Sequence, residues 1–139
     1  KLYIAAEAGH IFRSDDAGAS WQPIPAPYEG SFFGVLPISD GSVLAFGLRG
    51  QLFRSDDRGA SWIAVASGTE ATLMAGLELS GGRVALAGLA GTLLSSDDLG
   101  QTFRTRPQSD RKGNVALLGA AESLVLFGEG GARPVENAR

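Results

Sequence analysis

The sequence contains no cysteine and a single histidine, and these two shortages exclude several kinds of site. Without cysteine the chain can form neither a disulfide nor a thiolate metal site. One histidine, His10, cannot build a multi-histidine zinc site within one chain. No apolar run reaches the roughly 20 residues of a membrane-spanning helix. We therefore expect a chain that does not span a membrane and that needs no metal or other cofactor.

Clusters of basic residues are also missing. Lysines and arginines are scattered along the chain, and the net charge is −3. A nucleic-acid-binding domain normally concentrates positive charge on one face, so we expect no nucleic-acid partner. Of the eight aspartates, six lie in three repeated octapeptides. The mild acidity therefore follows from a repeated local motif rather than from an acidic tail.

The three octapeptides, which we call boxes, are SDDAGASW (14–21), SDDRGASW (55–62) and SDDLGQTF (96–103). They start 41 residues apart, and the similarity extends beyond them, because SVLAFGLRGQLFRSDD (42–57) aligns with RVALAGLAGTLLSSDD (83–98). The 20 glycines fall between short apolar runs, which indicates tight turns between short strands. A period of 40–45 residues with several strands in each unit is typical of β-propeller blades.

Each repeat is expected to contain four strands, and the fold class is therefore all-β. The innermost strands are predicted in SFFGVLPIS (31–39), TLMAGLELS (72–80) and GNVALLGAA (113–121). The chain starts on a second strand and reaches a fourth unit without a box, so about three and a half blades are expected in residues 1–131, followed by a polar tail at 132–139. Fewer blades than the usual four to eight predict either a fragment of a longer chain or two copies that complete one ring.

The boxes could bind calcium, supply catalytic carboxylates or build a turn. An EF-hand loop needs a glutamate at its twelfth position, and counting from Asp15 or Asp16 that position is Ala26 or Pro27. Three equivalent catalytic sites around the rim of a ring are also implausible. A turn fits best, because a short aspartate side chain accepts hydrogen bonds from nearby backbone N–H groups and glycine permits positive φ. The aromatic residue then begins the outer strand and buries its ring between layers.

The pattern Ser-x-Asp-x-Gly-x-Ser/Thr-Trp/Phe resembles the Asp-box, also called the bacterial neuraminidase repeat. The resemblance covers nearly the whole chain and implies a β-propeller in which the boxes lie away from the functional face. The structural positions that it implies are Ser14, Asp16, Gly18, Ser20, Trp21, Ser55, Asp57, Gly59, Ser61, Trp62, Ser96, Asp98, Gly100, Thr102 and Phe103.

Sialidases also carry this repeat, so glycoside hydrolysis is the alternative function. Such an enzyme needs clustered arginines, a tyrosine–glutamate pair and an acid/base aspartate. Outside the boxes the only aspartates are Asp40 and Asp110, and the only tyrosines are Tyr3 and Tyr28. Since no convergent set is visible, we expect a protein that is not an enzyme.

Among Asp-box proteins the chain is most similar to the photosystem II stability and assembly factor-like group, through phrases such as RSDDRGASW (54–62). This resemblance implies a non-catalytic scaffold that binds a protein or a membrane complex during assembly. It also favours an exported, periplasmic protein, whereas the residues themselves leave the localisation open.

The loops that differ between repeats predict where a partner would bind. APYEGSF (26–32), SGTEAT (67–72) and SDRKGN (109–114) should share one face with the turns between second and third strands, opposite the boxes. Variable loops on a constant scaffold usually carry specificity. The candidate contact residues on this face are Tyr28, Glu29, Phe32, Arg49, Glu70 and Arg111. For Phe32, packing between the inner strands is the alternative, because it aligns with Leu73.

Overall fold

The computed structural model describes residues 1–106, 108–120 and 123–136. Its regular structure consists of antiparallel strands and two short 3-10 turns, at Leu48–Gly50 and Ser80–Gly82, so the expected all-β class is confirmed. Within the described residues, no helix is long and apolar enough to cross a membrane.

The strands form four sheets that follow one another along the chain, and we call these sheets blades 1 to 4. Blade 1 contains β1 (Leu2–Ala5), β2 (Ile11–Ser14) and β3 (Gln22–Ile24). Blade 2 contains β4 (Phe32–Pro37), β5 (Val43–Gly47), β6 (Leu52–Ser55) and β7 (Ile63–Ala64). Blade 3 contains β8 (Leu73–Leu79), β9 (Arg83–Gly88), β10 (Leu93–Ser96) and β11 (Arg104–Thr105). Blade 4 contains β12 (Asn114–Ala120), β13 (Ser123–Gly128) and β14 (Gly131–Glu136).

The 41-residue repeat is visible in the pairing register. In blade 2, Phe32 pairs with Gly47, and in blade 3, Leu73 pairs with Gly88. Each pairing is followed by a β-bulge, as is the matching pair Asn114 and Gly128 in blade 4. The inner strands β4, β8 and β12 lie side by side, while β1 lies beside β4. Blade 1 therefore begins at the second-strand position, as the sequence predicts.

The core consists of three apolar layers between successive blades. Alternating side chains point to opposite faces of each strand, so one face of a blade packs against the blade before it and the other against the blade after it. The layer between blades 1 and 2 contains Ile11, Phe32, Ala45 and Phe53, and the layer between blades 3 and 4 contains Ala85, Ala87, Leu93, Leu124 and Leu126. The layer between blades 2 and 3 contains Ile38, Leu44, Phe46, Leu52, Leu73, Val84, Leu86 and Leu94.

Two features differ from expectation. The fourth strands are only two or three residues long, because the chain leaves the sheet soon after each box. The segment expected to be a polar tail forms β14 through Glu136, so strand pairing passes the expected boundary at residue 131. The turn at Glu129–Gly130 brings Gly131 opposite Gly128, and Val135 packs against the apolar layer between blades 3 and 4. Residues 137–139 of the expected tail lie outside the described residues.

The boxes form turns that follow the third strand of blades 1 to 3, and we call them box turns. In the second box, the buried Ser55 hydroxyl accepts a hydrogen bond from Gly59 N at 2.7 Å and donates one to Asp57 Oδ1 at 2.8 Å. Asp57 in turn accepts bonds from the backbone N–H and the hydroxyl of Ser61. The same bonds recur in the first and third boxes. The hydrogen bonding predicted for the boxes is confirmed, whereas the predicted burial of the aromatic ring is wrong for Trp21, which is 39% exposed.

The second and third box turns also join two blades. The carbonyl oxygen of Arg58 accepts a hydrogen bond from the Arg13 guanidinium of blade 1 at 3.0 Å. One repeat later, the carbonyl oxygen of Leu99 accepts one from the buried Arg54 of blade 2. Arg58 and Leu99 both have left-handed backbone, with φ of 61° and 59°. The box is therefore both a turn and an acceptor for the preceding blade.

The box aspartates are held as carboxylates. Hydrogen bonds from the hydroxyls of Ser20 and Ser61 lower the pKa of Asp16 and Asp57, respectively, from 3.8 to about 2. For Asp98, partial burial opposes ionisation, but the bonds from Thr102 and Ser96 outweigh it and lower its pKa to about 2 as well. A carboxylate that accepts several hydrogen bonds stabilises the fold only while it is ionised.

Replacing Ser55 with alanine tests the box turn directly. The change leaves Gly59 N and Asp57 without their buried partner, so the free energy of unfolding should fall by about 1–3 kcal/mol. Urea unfolding at neutral pH measures this loss. Ser109→Ala is the control, because Ser109 is exposed and outside a box, and it should change stability by less than about 0.5 kcal/mol. Equal stability of the two variants would contradict the assigned role of the box serine.

Acid should unfold the protein in a defined window. Because Asp16, Asp57 and Asp98 have a pKa of about 2 when folded and about 3.8 when unfolded, the unfolded state binds more protons between these values. Their stabilisation should be complete above about pH 4 and should be lost as the pH falls to about 2. Thermal midpoints measured across this range test the prediction. Ser61→Ala removes a hydroxyl donor to Asp57 and should make the thermal midpoint depend less steeply on pH. An unchanged slope of midpoint against pH would contradict the role assigned to this hydrogen bond.

A candidate binding face opposite the box turns

The segments that lead from one blade to the next lie against the turns between second and third strands. Gly9 N donates a hydrogen bond to Gly30 O at 3.0 Å, and Gln108 N donates one to Gly91 O at 2.9 Å. Two sets of connections that are distant in sequence therefore form one surface, which we call the loop face. This agrees with the face predicted from the repeat.

Three equivalent glycines allow this close approach. Gly9, Gly50 and Gly91 have φ of 72°, 69° and 68°, a conformation that side chains disfavour. A Cβ atom at Gly50 would lie 1.9 Å from Thr69 O, and one at Gly91 would lie 2.6 Å from Arg111 Cα. Glycine is required at these positions both for the backbone conformation and for the contact that positions the loops.

The loop face contains a cavity of about 580 Å³ between the segment that leads into blade 3 and the segment that leads out of it. Among the residues that line it, Thr92 and Leu93 are buried and Arg111 is exposed. The lining combines hydroxyl, amide and guanidinium groups with small apolar side chains, which suits a ligand with both polar and apolar parts. The lining residues are Gly68, Thr69, Ala71, Ala90, Thr92, Leu93, Thr105, Gln108 and Arg111.

The predicted contact residues fall into two groups. Arg111 lines the cavity, and Glu70 is exposed between Thr69 and Ala71, which line it too. Arg49 is exposed in the turn before Gly50, where its φ is 55°. Together these residues place charges of both signs on the loop face. Their role in binding stays a prediction.

The aromatic candidates lie instead at the junction of blades 1 and 2. The Tyr28 ring packs edge-on against Phe32 at 6.2 Å between centroids and stacks with Phe53 at 6.3 Å. Phe32 is only 3% exposed, so its ring belongs to the layer between these blades, as the packing alternative supposes. Tyr28 is half-buried, and its neighbour Glu29 is exposed. The part of Tyr28 that remains accessible keeps it a candidate contact residue.

Sequence reasoning missed the apolar residues at the inner-strand bulges. Phe33 and Val115 occupy equivalent bulge positions and are 46% and 53% exposed, and Met74 is their counterpart in blade 3. In a bulge two residues oppose one on the partner strand, so the extra side chain is not needed in a blade-to-blade layer. All three lie one residue into an inner strand, next to the loop face. The consecutive phenylalanines of SFFG were the available signal, because regular alternation cannot bury both in the same layer.

The carboxylates with a pKa lowered to about 2 lie in the box turns, away from the cavity. Two acids near the cavity hold the loop that carries Arg111: Asp110 pairs with Arg133, and Glu129 accepts a hydrogen bond from Gly113 N at 2.7 Å. The part of the chain that the structure describes contains no group of three histidine, aspartate or glutamate side chains placed to hold a metal ion. Asp110 and Glu129 therefore position the loop that carries Arg111.

No protein-family model matches the sequence, and a comparison with curated proteins gives no match. Solved structures do match. A YCF48 bound to D1 peptide superposes with a TM-score of 0.79 at 18% identity, covering 96% of this chain and 45% of that one. YCF48 from Cyanidioschyzon merolae gives a TM-score of 0.67 at 14% identity, covering 99% and 49% of the two chains.

An ancestral GH74 enzyme is also similar, with a TM-score of 0.79 at 15% identity over 95% of this chain and 20% of the enzyme. The chain thus spans less than half of each YCF48 and a fifth of the GH74 enzyme. These likenesses establish the fold, a partial β-propeller. Because the structures include both YCF48 and an enzyme, the fold by itself leaves catalysis undecided.

Replacing Gly91 with alanine should disturb the cavity. The left-handed backbone alone costs about 1–2 kcal/mol for a residue with a side chain, and the new Cβ would also collide with the Arg111 backbone. Gly81→Ala is the matched control, since Gly81 has φ of 75° but open space around its Cβ position. Urea unfolding should show a clearly larger loss for Gly91→Ala. Equal losses would mean that the Arg111 loop does not depend on the contact with Gly91.

Proposed function

We propose that this chain is a non-catalytic binding scaffold that holds a segment of a protein partner on its loop face. The observation that carries the proposal is the cavity of about 580 Å³, which is lined by loops that differ between repeats and sits on a repeated frame. The box turns, which recur in three blades, stabilise the opposite side. A constant frame that presents variable loops is a common arrangement for recognition.

The cavity chemistry suits an extended peptide. Thr105, Gln108 and Arg111 offer hydrogen-bond donors for backbone carbonyls or an acidic side chain, whereas Leu93 and Ala71 offer apolar surface. Arginine is enriched where protein surfaces bind partners, because its guanidinium makes several directed hydrogen bonds. The exposed bulge residues Phe33 and Val115 would extend the apolar contact along the inner strands.

Comparison with YCF48 supports a peptide or protein ligand, since one YCF48 structure is bound to D1 peptide. By extension, we propose an assembly role of the photosystem II assembly factor type for this chain, with a protein or a membrane complex as its partner. The Asp-box identity of the boxes is part of the same proposal.

The alternative is that the chain is part of a sialidase-like or other glycoside hydrolase. The similarity to an ancestral GH74 enzyme supports this alternative. Glycosidases mostly use two carboxyl groups about 5–9.5 Å apart on either side of the scissile bond. Of the acids on the loop face, Asp110 is engaged by Arg133 and Glu129 by Gly113 N, so these two have structural partners. This favours the scaffold over the hydrolase.

Peptide binding tests the proposal. Peptides selected from a display library on the purified chain, with the D1 peptide as a defined first probe, should bind with an affinity that falls about tenfold or more in Arg111→Glu, equivalent to roughly 1.4 kcal/mol. Fluorescence anisotropy measures the change. Arg104→Glu is the matched control, because Arg104 is an exposed arginine directly after the third box.

Selected peptides that bind Arg111→Glu as well as the parent chain, or that lose affinity in Arg104→Glu, would contradict the loop face as the binding surface. Steady turnover of a fluorogenic sialoside or glucoside by the parent chain would instead favour the hydrolase.

A further inference from the structure

We propose that the free face of blade 1 is a docking surface for another four-stranded blade, one that brings an arginine on its third strand and a free carbonyl after its fourth. This inference concerns a different surface from the loop face and does not depend on the proposed function. It rests on a comparison of blade 1 with the blades whose equivalent faces are covered within this chain.

The first observation is the exposure of apolar side chains on β1. Leu2 and Ile4 are 46% and 44% exposed, on the face that points away from blade 2. Their strand is the counterpart of β5, β9 and β13, where the residues on the same face are buried against the preceding blade. Those equivalent residues are at most 3% exposed: Val43, Ala45, Val84, Leu86, Leu124 and Leu126.

The second observation concerns the box tryptophans. Trp62 of blade 2 donates its indole N–H to Pro25 O, in the segment after the fourth strand of blade 1, at 2.8 Å. Trp21, its equivalent one repeat earlier, is 39% exposed, and its indole N–H has no partner among the described residues. A blade placed on this face would supply the matching carbonyl.

The third observation concerns the box carbonyl. Arg13 of blade 1 reaches Arg58 O, and Arg54 of blade 2 reaches Leu99 O. The equivalent carbonyl of the first box belongs to Ala17, whose φ of 60° gives it the same left-handed geometry. No donor from the described part of the chain reaches it. The incoming blade would therefore place an arginine there.

The box glycines show the same difference. A Cβ at Gly59 would lie 2.3 Å from Ile24 of blade 1, and one at Gly100 would lie 2.8 Å from Leu44 of blade 2. A Cβ at Gly18 would come no closer than 3.5 Å to any other atom, and that neighbour, Leu2, belongs to its own blade. The first box thus has the space that the preceding blade occupies in the other two.

A second copy of this chain does not meet these requirements. Its exposed end would be blade 4, where the pairing register puts Pro134 in the position of Arg54, because Val125 and Leu44 are equivalent partners. Proline has no side-chain donor for the Ala17 carbonyl. A complete blade of this repeat type has the arginine that the Ala17 carbonyl requires.

The test extends the full chain in register. A copy of residues 31–82 is placed directly before Lys1. This junction keeps the repeat in register, because residue 83 is equivalent to residue 1 two repeats on. The copy supplies one complete blade, including Arg54, and the inner strand that blade 1 lacks. Trp62→Phe, made in the chain and in the copy, leaves Trp21 as the sole tryptophan and imitates Phe103 of the third box. Acrylamide quenching of Trp21 then reports whether the face is covered.

We expect the quenching constant of Trp21 to fall severalfold in the extended chain, with a shift of its emission to shorter wavelength and a higher thermal midpoint. Replacing the copied Arg54 with serine, the residue found at the equivalent Ser95, should keep Trp21 protected but remove part of the gain in midpoint. Ile4→Asp should be tolerated in the parent chain, where Ile4 is 44% exposed, and should clearly destabilise the extended one.

Three results would overturn the proposal. In the first, Trp21 is as accessible in the extended chain as in the parent. In the second, the extended chain has no cooperative unfolding transition. In the third, the parent chain alone has twice its monomer mass by light scattering together with a protected Trp21, which would show that a second copy covers the face.

Discussion

The bond from the box serine to the backbone of its own turn is the interaction on which this structure depends most. The buried Ser55 hydroxyl accepts a hydrogen bond from the buried Gly59 N, and the exposed Asp57 accepts hydrogen bonds from the backbone N–H and hydroxyl of Ser61. This closure fixes the left-handed residue Arg58, whose carbonyl then accepts the guanidinium of Arg13 from the preceding blade. One local motif therefore sets both the shape of a blade and its attachment to its neighbour.

The two sides of the molecule differ in how regularly they repeat. On the box side, equivalent residues make equivalent bonds in three blades, and a change in one would cost stability. On the loop side, Gly9, Gly50 and Gly91 repeat, but the loops that they support differ in sequence. Because the same glycine turns support loops of different sequence, the cavity near Arg111 need not recur in the other blades.

Much of this could be predicted from the sequence, because the repeat supplies three readings of one pattern. The 41-residue spacing and the box identified the blades, the turn chemistry and the shared face of the loops. The bulges at Phe33 and Val115 were not predicted. The consecutive phenylalanines of SFFG are a signal for one of them, but a bulge also depends on how two strands pack against their neighbours. The third strand of blade 4, β14, was not predicted for a similar reason. The segment GARPVE has weak strand propensity, and it is stabilised as a strand by packing of Val135 against the layer between blades 3 and 4.

Contacts between blades were the hardest to predict, because they join residues about one repeat apart that no local rule connects. Yet the sequence contains them in paired form. Arg13 lies in blade 1 and Arg54 in blade 2, and each of these blades is followed by a blade that has a box. Blade 3 has Ser95 at the equivalent position. It is followed by blade 4, in which Val135 occupies the position of the box serine. The donor is absent where the acceptor turn is absent. Such joint loss is expected if the arginine is retained for the carbonyl of the next box, since a buried guanidinium without that partner would destabilise the fold.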